Sequence, residues 1–108
     1  MTVKEWLNRA RVLADEINTM YREGPGEDAA AARTAIEAKF NERIAVKMEI
    51  INAAYHLTDR RERIALIERY CDGRTISEIS QDLSLSWFQA HKILMDAIRH
   101  LGEVLGFG

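Results

Sequence analysis

The sequence predicts an all-α fold in which an N-terminal helical hairpin precedes a C-terminal unit of three helices. Apolar residues recur at intervals of three and four along most of the chain, which is the period of an amphipathic helix. One proline and six glycines interrupt 108 residues, so few positions break a helix. At Thr2, Thr75 and Ser86 a Ser/Thr residue is followed three positions later by Glu or Gln, a pattern typical of helix starts. We expect the hairpin at about residues 1–56 and the three-helix unit at about 57–108.

The first hairpin helix is predicted over residues 2–23. Thr2 and Glu5 form a capping box, in which each side chain accepts a hydrogen bond from a backbone N–H of the first turn. The apolar stripe of this helix is expected to contain Trp6, Leu7, Ala10, Leu13, Ile17, Met20 and Tyr21. Gly24-Pro25-Gly26 should end it, because glycine adopts the left-handed cap conformation and proline cannot continue the hydrogen-bond ladder.

The second hairpin helix is predicted over about residues 28–56. Its apolar stripe is expected to contain Ala32, Ile36, Phe40, Ile44, Met48, Ile51 and Tyr55. Two long stripes joined by a short connection predict antiparallel packing. A hairpin alone buries little apolar surface, so a further helix or a second chain should cover the rest, and we expect a homodimer.

The C-terminal unit is predicted to contain three shorter helices, at residues 59–71, 75–83 and 86–101. Ile64, Ile67 and Tyr70 should face inward on the first of them. Asp72-Gly73-Arg74 is predicted to form a turn. The other two helices begin with capping boxes, formed by Thr75 with Glu78 and by Ser86 with Gln89.

The last two helices carry the pattern of a helix-turn-helix. Two short helices that cross steeply need a small residue where they touch, and Ser80 is expected there. The residues expected to fill the space between the helices are Ile76, Ile79, Leu83, Leu85, Ala90 and Ile93. In such a unit the second helix, here residues 86–101, enters the major groove of DNA.

A family resemblance lies in the motifs of residues 57–101, a little under half of the chain. They are Leu57-Thr58-Asp59-Arg60-Arg61-Glu62-Arg63, Glu68-Arg69-Tyr70, Gly73, Thr75, Glu78-Ile79, Leu83 and Ser86. This stretch resembles the promoter −35-binding region of bacterial sigma factors. The whole layout also resembles small phage and prophage proteins of Gram-positive bacteria, including late-gene regulators of the ArpU type. The resemblance implies a regulator of phage or prophage transcription, with double-stranded DNA as its partner.

Two positions depart from the sigma-factor pattern. The predicted recognition helix begins with Trp87 and Phe88, where that family usually has polar or basic residues. These aromatic rings have two possible roles, either packing on sugar or a thymine methyl, or forming a protein-binding surface. Ser84 occupies a turn position that often holds glycine, so the turn is expected to be less tight.

The candidate base-reading residues are Gln89, His91 and Lys92, near the start of the recognition helix. Glutamine pairs with adenine through two hydrogen bonds, and lysine donates to guanine. The alternative interpretation is a solvated polar face. The complete candidate DNA-binding set is Ser86, Trp87, Phe88, Gln89, His91, Lys92, Arg60, Arg61, Arg63, Arg74 and Thr75.

The arginines of that set are expected to hold DNA phosphates, which fixes the position of the protein on the duplex but not the sequence it reads. The alternative is that these arginines form ion pairs within their own helix, with Asp59, Glu62 and Glu68. A net charge of −2 argues against binding to DNA by bulk charge, although a local basic patch is sufficient.

Composition also limits the other classes of function. Cys71 is the only cysteine and lies among apolar positions, so we expect a buried, inert thiol and a cytoplasmic protein. No apolar stretch approaches the ~20 residues of a membrane span. Three scattered histidines and one cysteine do not suggest a metal site, and no catalytic constellation is evident. We therefore expect no cofactor and no enzymatic activity.

Two alternative functions remain open at this point. The same helices suit a protein-interaction module that binds RNA polymerase or a partner regulator. They also suit a phage DNA-packaging protein similar to a small terminase subunit, since those proteins use helix-turn-helix units as well.

Overall fold

A computed structural model describes residues 1–107, and within that range the chain forms six helices and no strand. The helices are α1 (Val3–Leu7), α2 (Arg9–Glu23), α3 (Ala29–Ala54), α4 (Arg60–Tyr70), α5 (Ile76–Asp82) and α6 (Trp87–Leu105). The predicted all-α fold is confirmed. None of these helices has the length and apolar character needed to cross a membrane.

Helices α2 and α3 form the predicted antiparallel hairpin. Two ion pairs between the helices show the antiparallel direction. Arg9, near the start of α2, binds Glu49, near the end of α3, at 2.6 Å, whereas the later Glu16 binds the earlier Lys39 at 2.9 Å. The prediction of one continuous helix over residues 2–23 is wrong, because the helix is interrupted at Asn8, which separates α1 from α2. Asparagine has a low helix propensity, which favours the break at this position.

The apolar stripe predicted for α3 does not face the protein interior over the C-terminal half of the helix. The buried residues there are Val46, Ile50, Ala53 and Ala54. The predicted members Phe40, Ile44, Met48 and Tyr55 are exposed, and we call them the α3 outer face. Helix α3 carries apolar residues on two of its faces, and periodicity alone cannot tell which face will meet a neighbour.

Helices α4, α5 and α6 form a compact unit around fully buried side chains, among them Leu66, Ile79 and Leu101. On α4 the residues that face inward are Ala65 and Leu66. The three residues predicted to do so, Ile64, Ile67 and Tyr70, are only half-buried. Several helices contact α4, so its buried surface is broader than the single stripe that the spacing predicts.

Both halves of the chain contribute to one hydrophobic core. Its members include Leu7 of α1, Ile50 of α3 and Leu101 of α6. Helix α1 packs closely on α6, since a Cβ atom added to Gly102 would lie 2.9 Å from Cγ2 of Val3. The far end of the hairpin extends beyond this core, and residues 21–31 are all exposed. The radius of gyration is accordingly 16.2 Å, against about 13 Å for a compact chain of this length.

Candidate DNA-binding surface

The connection between α5 and α6 is a tight turn built on Ser84. Ser84 adopts a left-handed backbone conformation with φ of 56°. The amide of Ser84 donates to the carbonyl of Gln81 at 3.1 Å, and the amide of Leu85 donates to the carbonyl of Ser80 at 2.9 Å. These two bonds define a Schellman motif, which closes the C-terminus of α5. The expectation of a less tight turn is therefore wrong, because serine takes the conformation that glycine usually supplies.

Ser80 is buried where the two helices meet, as predicted from its size. Its hydroxyl donates to the carbonyl of Ser77 at 2.6 Å, so the buried polar atom is satisfied within its own helix. Ile79 and Ala90 are buried on either side of the turn. The local geometry expected of a helix-turn-helix is thus present.

Helix α6 begins with the predicted capping box. The Ser86 hydroxyl accepts from the Gln89 amide at 3.1 Å, and Oε1 of Gln89 accepts from the Ser86 amide at 2.9 Å. Pairing of Gln89 with adenine through two hydrogen bonds requires the same Oε1 atom. That contact would therefore break the cap, and Gln89 is better suited to donating from its amide nitrogen alone.

Three exposed side chains of α6 point in one direction. Phe88 is 80% exposed, and the side chains of Lys92 and Arg99 are 80% and 63% exposed. At 100° per residue these three positions lie within about 40° of one another around the helix axis. We call them the α6 outer face. Arg99 is absent from the candidate set of the sequence analysis, although its position two turns after Lys92 could have revealed it.

Asp96 lies between the two cations of the α6 outer face. Its carboxylate binds Lys92 Nζ at 3.5 Å and Arg99 Nη2 at 3.3 Å. Desolvation opposes ionisation of this carboxyl, but the charges of Lys92 and Arg99 outweigh it and lower the pKa of Asp96. Both contacts are long for charge-assisted hydrogen bonds, so the two cations are loosely held and available to another anion.

Trp87 and Phe88 differ in their surroundings although they are adjacent. The indole of Trp87 stacks on the imidazole of His91, with ring centroids 5.1 Å apart and planes 8° from parallel. Phe88 meets Trp87 edge to face and otherwise points into solvent. Phe88 is thus the outward member of the pair, while His91 is half-buried beside the Trp87 ring and less accessible to a base than Lys92.

Arg60 and Arg61 are exposed but distant from the start of α6. They begin α4, and the adjoining Glu62 binds His100 through a 2.6 Å contact between Oε1 and Nδ1. The start of α4 therefore lies beside the C-terminal half of α6. His100 is 12 residues beyond Phe88, which corresponds to roughly 18 Å along the helix. These two arginines and the α6 outer face form separate basic regions.

Arg63 and Arg74 are engaged in contacts within the protein. Nη1 of Arg63 donates to the carbonyls of Leu57 at 2.8 Å and Thr58 at 3.2 Å, which fixes the connection between α3 and α4. Arg74 binds Asp82 at 2.7 Å and Glu78 at 3.6 Å. Phosphate binding by Arg63 or Arg74 would compete with these bonds.

Of the three acidic residues named as alternative ion-pair partners of the arginines, Asp59 and Glu62 have other roles. Asp59 caps α4 by accepting from the amides of Arg61 and Glu62, and Glu62 binds His100 as described above. Burial raises the pKa of Glu68, and the neighbouring Asp82 adds to that rise.

Thr75, the last candidate, caps α5 through the predicted box with Glu78. The structure therefore groups the candidates of residues 86–92 at the start of α6, places Arg60 and Arg61 away from it, and engages Arg63 and Arg74 in contacts within the protein.

Comparisons with known proteins returned no match among models of protein families, curated proteins or solved structures. The resemblance to sigma factors consequently stays a prediction from the motifs of residues 57–101.

Proposed function

We propose that the protein is a sequence-specific regulator of transcription that binds double-stranded DNA by placing α6 in the major groove. The observation that carries this proposal is the combination of a closed helix-turn-helix at Ser84 with the exposed α6 outer face. An α-helix fits the major groove of B-DNA, which is about 12 Å wide. The first turns of a recognition helix are the part that reaches base edges.

Each residue of the α6 outer face has a distinct part in this mechanism. Lys92 donates to the O6 and N7 acceptors of guanine, and Phe88 packs on a thymine methyl or a deoxyribose. Arg99 lies further along the helix and holds a backbone phosphate. In the complex, guanine and the phosphate replace Asp96 as the partners of the two cations. Arg60 and Arg61 hold phosphates at a second point of the duplex, near the other end of α6.

The net charge of −2 limits the non-specific affinity of a single chain. Each phosphate contact releases counterions and lowers log K by about 0.9 per decade of salt, so three or four contacts give only a modest slope. Two copies acting on two half-sites would double the number of contacts. The sigma-like motifs of residues 57–101 favour a role in transcription, and by the same resemblance the genes concerned belong to a phage or prophage.

Selection of duplexes from a random pool tests this function. We expect enrichment of a defined motif, and Lys92→Ala should weaken binding to the selected duplex by roughly 1–3 kcal/mol, measured by fluorescence anisotropy. Lys39→Ala is the matched control, because Lys39 lies on the hairpin in an ion pair with Glu16. Failure to enrich any motif would contradict the proposal, as would equal affinity of parent and Lys92→Ala.

A protein-interaction module is the second candidate, and the exposure of Phe88 is the observation that favours it. A large aromatic side chain that is 80% exposed is typical of an interface anchor. Phe88→Ala separates the two functions when DNA affinity and capture of RNA polymerase are measured on the same folded samples. A DNA reader loses DNA affinity and keeps polymerase capture. An interaction module loses polymerase capture, while its weak DNA binding does not change.

A further inference from the structure

A cavity of about 360 Å³ lies at the junction of the hairpin and the C-terminal unit. Four basic side chains from four different helices line it, namely Lys4, Arg11, Arg43 and Arg69. The lining contains no carboxylate. This concentration of positive charge contrasts with the overall charge of −2. None of the candidate DNA-binding residues contributes to the cavity, so it is a feature separate from the α6 outer face.

In the part of the chain that the structure describes, the four cations have no neutralising partner. Within residues 1–107 the ion pairs shorter than 4 Å involve other basic residues, and none includes Lys4, Arg11, Arg43 or Arg69. Asp72 follows Cys71 in the chain, but its side chain does not line the cavity. Arg43 and Arg69 are half-buried, whereas Lys4 and Arg11 are exposed. Like charges that line one cavity repel one another, and a bound anion relieves that repulsion.

Two of the guanidinium groups are held in place by the backbone. Nε of Arg43 donates to the carbonyl of Ala10 at 3.3 Å, and Nη1 of Arg69 donates to the carbonyl of Arg74 at 3.0 Å. Each bond uses one donor and leaves other N–H groups of the same planar fork available. A guanidinium fixed in this way loses little conformational entropy when it binds an oxyanion, and its fork matches the geometry of a phosphate.

The rest of the lining can accept an organic group attached to the anion. Leu94, Met95 and Ile76 contribute apolar surface, and Tyr70 contributes a phenol. Burial raises the pKa of Tyr70, against the opposing charges of Arg69 and Arg11, so the phenol stays neutral and able to donate. A cavity of several hundred cubic ångströms is of the size that holds a small ligand.

We propose that this junction cavity is a phosphate-binding site that takes the phosphate group of a small organic phosphate such as a nucleotide. Lys4, Arg11 and Arg43 belong to the hairpin, and Arg69 belongs to the C-terminal unit. A phosphate bound by both sets therefore links the two halves, and ligand binding stabilises their arrangement. The same phosphate chemistry is available from a DNA backbone, which the test below distinguishes. The proposal is independent of which surface reads DNA bases.

The test uses the full chain, with inorganic phosphate and adenosine monophosphate as probes at constant ionic strength set with chloride. We expect both probes to raise the melting temperature and to shift the backbone amide resonances of residues around the cavity. The double variant Lys4→Gln/Arg11→Gln should lose at least tenfold in probe affinity. Arg33→Gln is the control, because Arg33 is an exposed arginine outside the cavity.

A second readout does not depend on the probes. Arg11→Gln removes one of the mutually repelling charges, so we expect this variant to melt at a higher temperature than the parent in chloride alone. Arg33→Gln should not. Such a result also shows that the variant is folded. An unchanged or lower melting temperature of Arg11→Gln, together with unchanged probe affinity, would overturn the proposal.

Random-sequence duplex DNA separates the two sources of phosphate. If a small molecule is the ligand, the nucleotide saturates the site and Arg11→Gln leaves duplex affinity unchanged. If the DNA backbone is the source, the nucleotide does not saturate, and Arg11→Gln lowers duplex affinity and reduces the salt slope by about 1. Both results place phosphate in the cavity. Absence of any response to phosphate, nucleotide and duplex would refute the site, and loss of affinity in Arg33→Gln to the same extent would also refute it.

Discussion

The hairpin and the C-terminal unit have similar helical sequences but very different burial. Helix α6 packs against α1, α3, α4 and α5, and residues from Ala90 to Gly102 are fully buried along one side of it. Over much of its length α3 has α2 as its one neighbour, and the α3 outer face is left in solvent. Helical periodicity was present in both regions. The number of neighbouring helices, rather than the strength of the pattern, decides how much of an apolar stripe is buried.

The largest effect expected from this comparison is on Ile50, which is fully buried in the shared core while Ile44 on the same helix is 59% exposed. Ile50→Ala should lower the free energy of unfolding by about 2–5 kcal/mol because it leaves a cavity. Ile44→Ala should change it by less than about 0.5 kcal/mol in the monomer. Chemical denaturation followed by tryptophan fluorescence measures both. Equal losses at the two positions would contradict the burial described for α3.

The next effect concerns assembly, because the α3 outer face has a length and composition that suit a second copy of the chain. Phe40 to Tyr55 span roughly 22 Å of helix. Their exposed apolar surface is of the order of a few hundred Å² per chain, which is within the range of the largest patch on a typical monomer. Antiparallel pairing about a two-fold axis near Met48 would cover both copies with the same residues. Because this area is small for a stable dimer, we expect association in the micromolar range.

Ile44→Glu should weaken that dimer at least tenfold by placing a charge inside its apolar interface, and sedimentation equilibrium measures the change. Glu37→Gln is a mild control, since it lies on α3 before the apolar face begins. A parent protein that is monomeric at several hundred micromolar would contradict the dimer. An oligomer of ring size would instead favour the DNA-packaging alternative.

The smallest effect is expected at the α5–α6 turn. The left-handed conformation of Ser84 has a steric cost of the order of 1 kcal/mol, which glycine does not have. Glycine also makes the unfolded chain more flexible, and this offsets part of the gain in stability. Ser84→Gly should therefore raise the free energy of unfolding by about 0.5 kcal/mol. Ser77→Gly, within α5, should lower it by a similar amount because glycine disfavours helix. A loss of stability in Ser84→Gly would show that the serine side chain contributes to the turn.

The features that could be predicted from the sequence depend on residues close together in the chain. The capping boxes at Thr2, Thr75 and Ser86 each involve a partner three residues away, and all three form as predicted. The small residue at the helix crossing, Ser80, follows from the same local logic. These helix starts depend on hydrogen bonds within a few residues, so the sequence indicates them directly, although the break at Asn8 and the tight turn at Ser84 did not follow from it.

The features that could not be predicted depend on partners far away in the chain. Arg63 donates to carbonyls at the end of α3, and Glu62 binds His100, 38 residues later. The junction cavity needs four helices to come together before its cations converge. A basic residue in a motif can bind DNA or its own backbone equally well, and only the tertiary arrangement decides between the two.

The central claim is that the α6 outer face, and not the α3 outer face, meets DNA. Its most direct test is the mapping of amide and side-chain resonances of the isotope-labelled full chain as a duplex selected from a random pool is added. The account predicts the largest shifts at Phe88, Lys92 and Arg99, with Ile44 and Met48 unaffected at constant protein concentration. A duplex that binds tightly while shifting the α3 outer face, and leaving Phe88, Lys92 and Arg99 unperturbed, would contradict it.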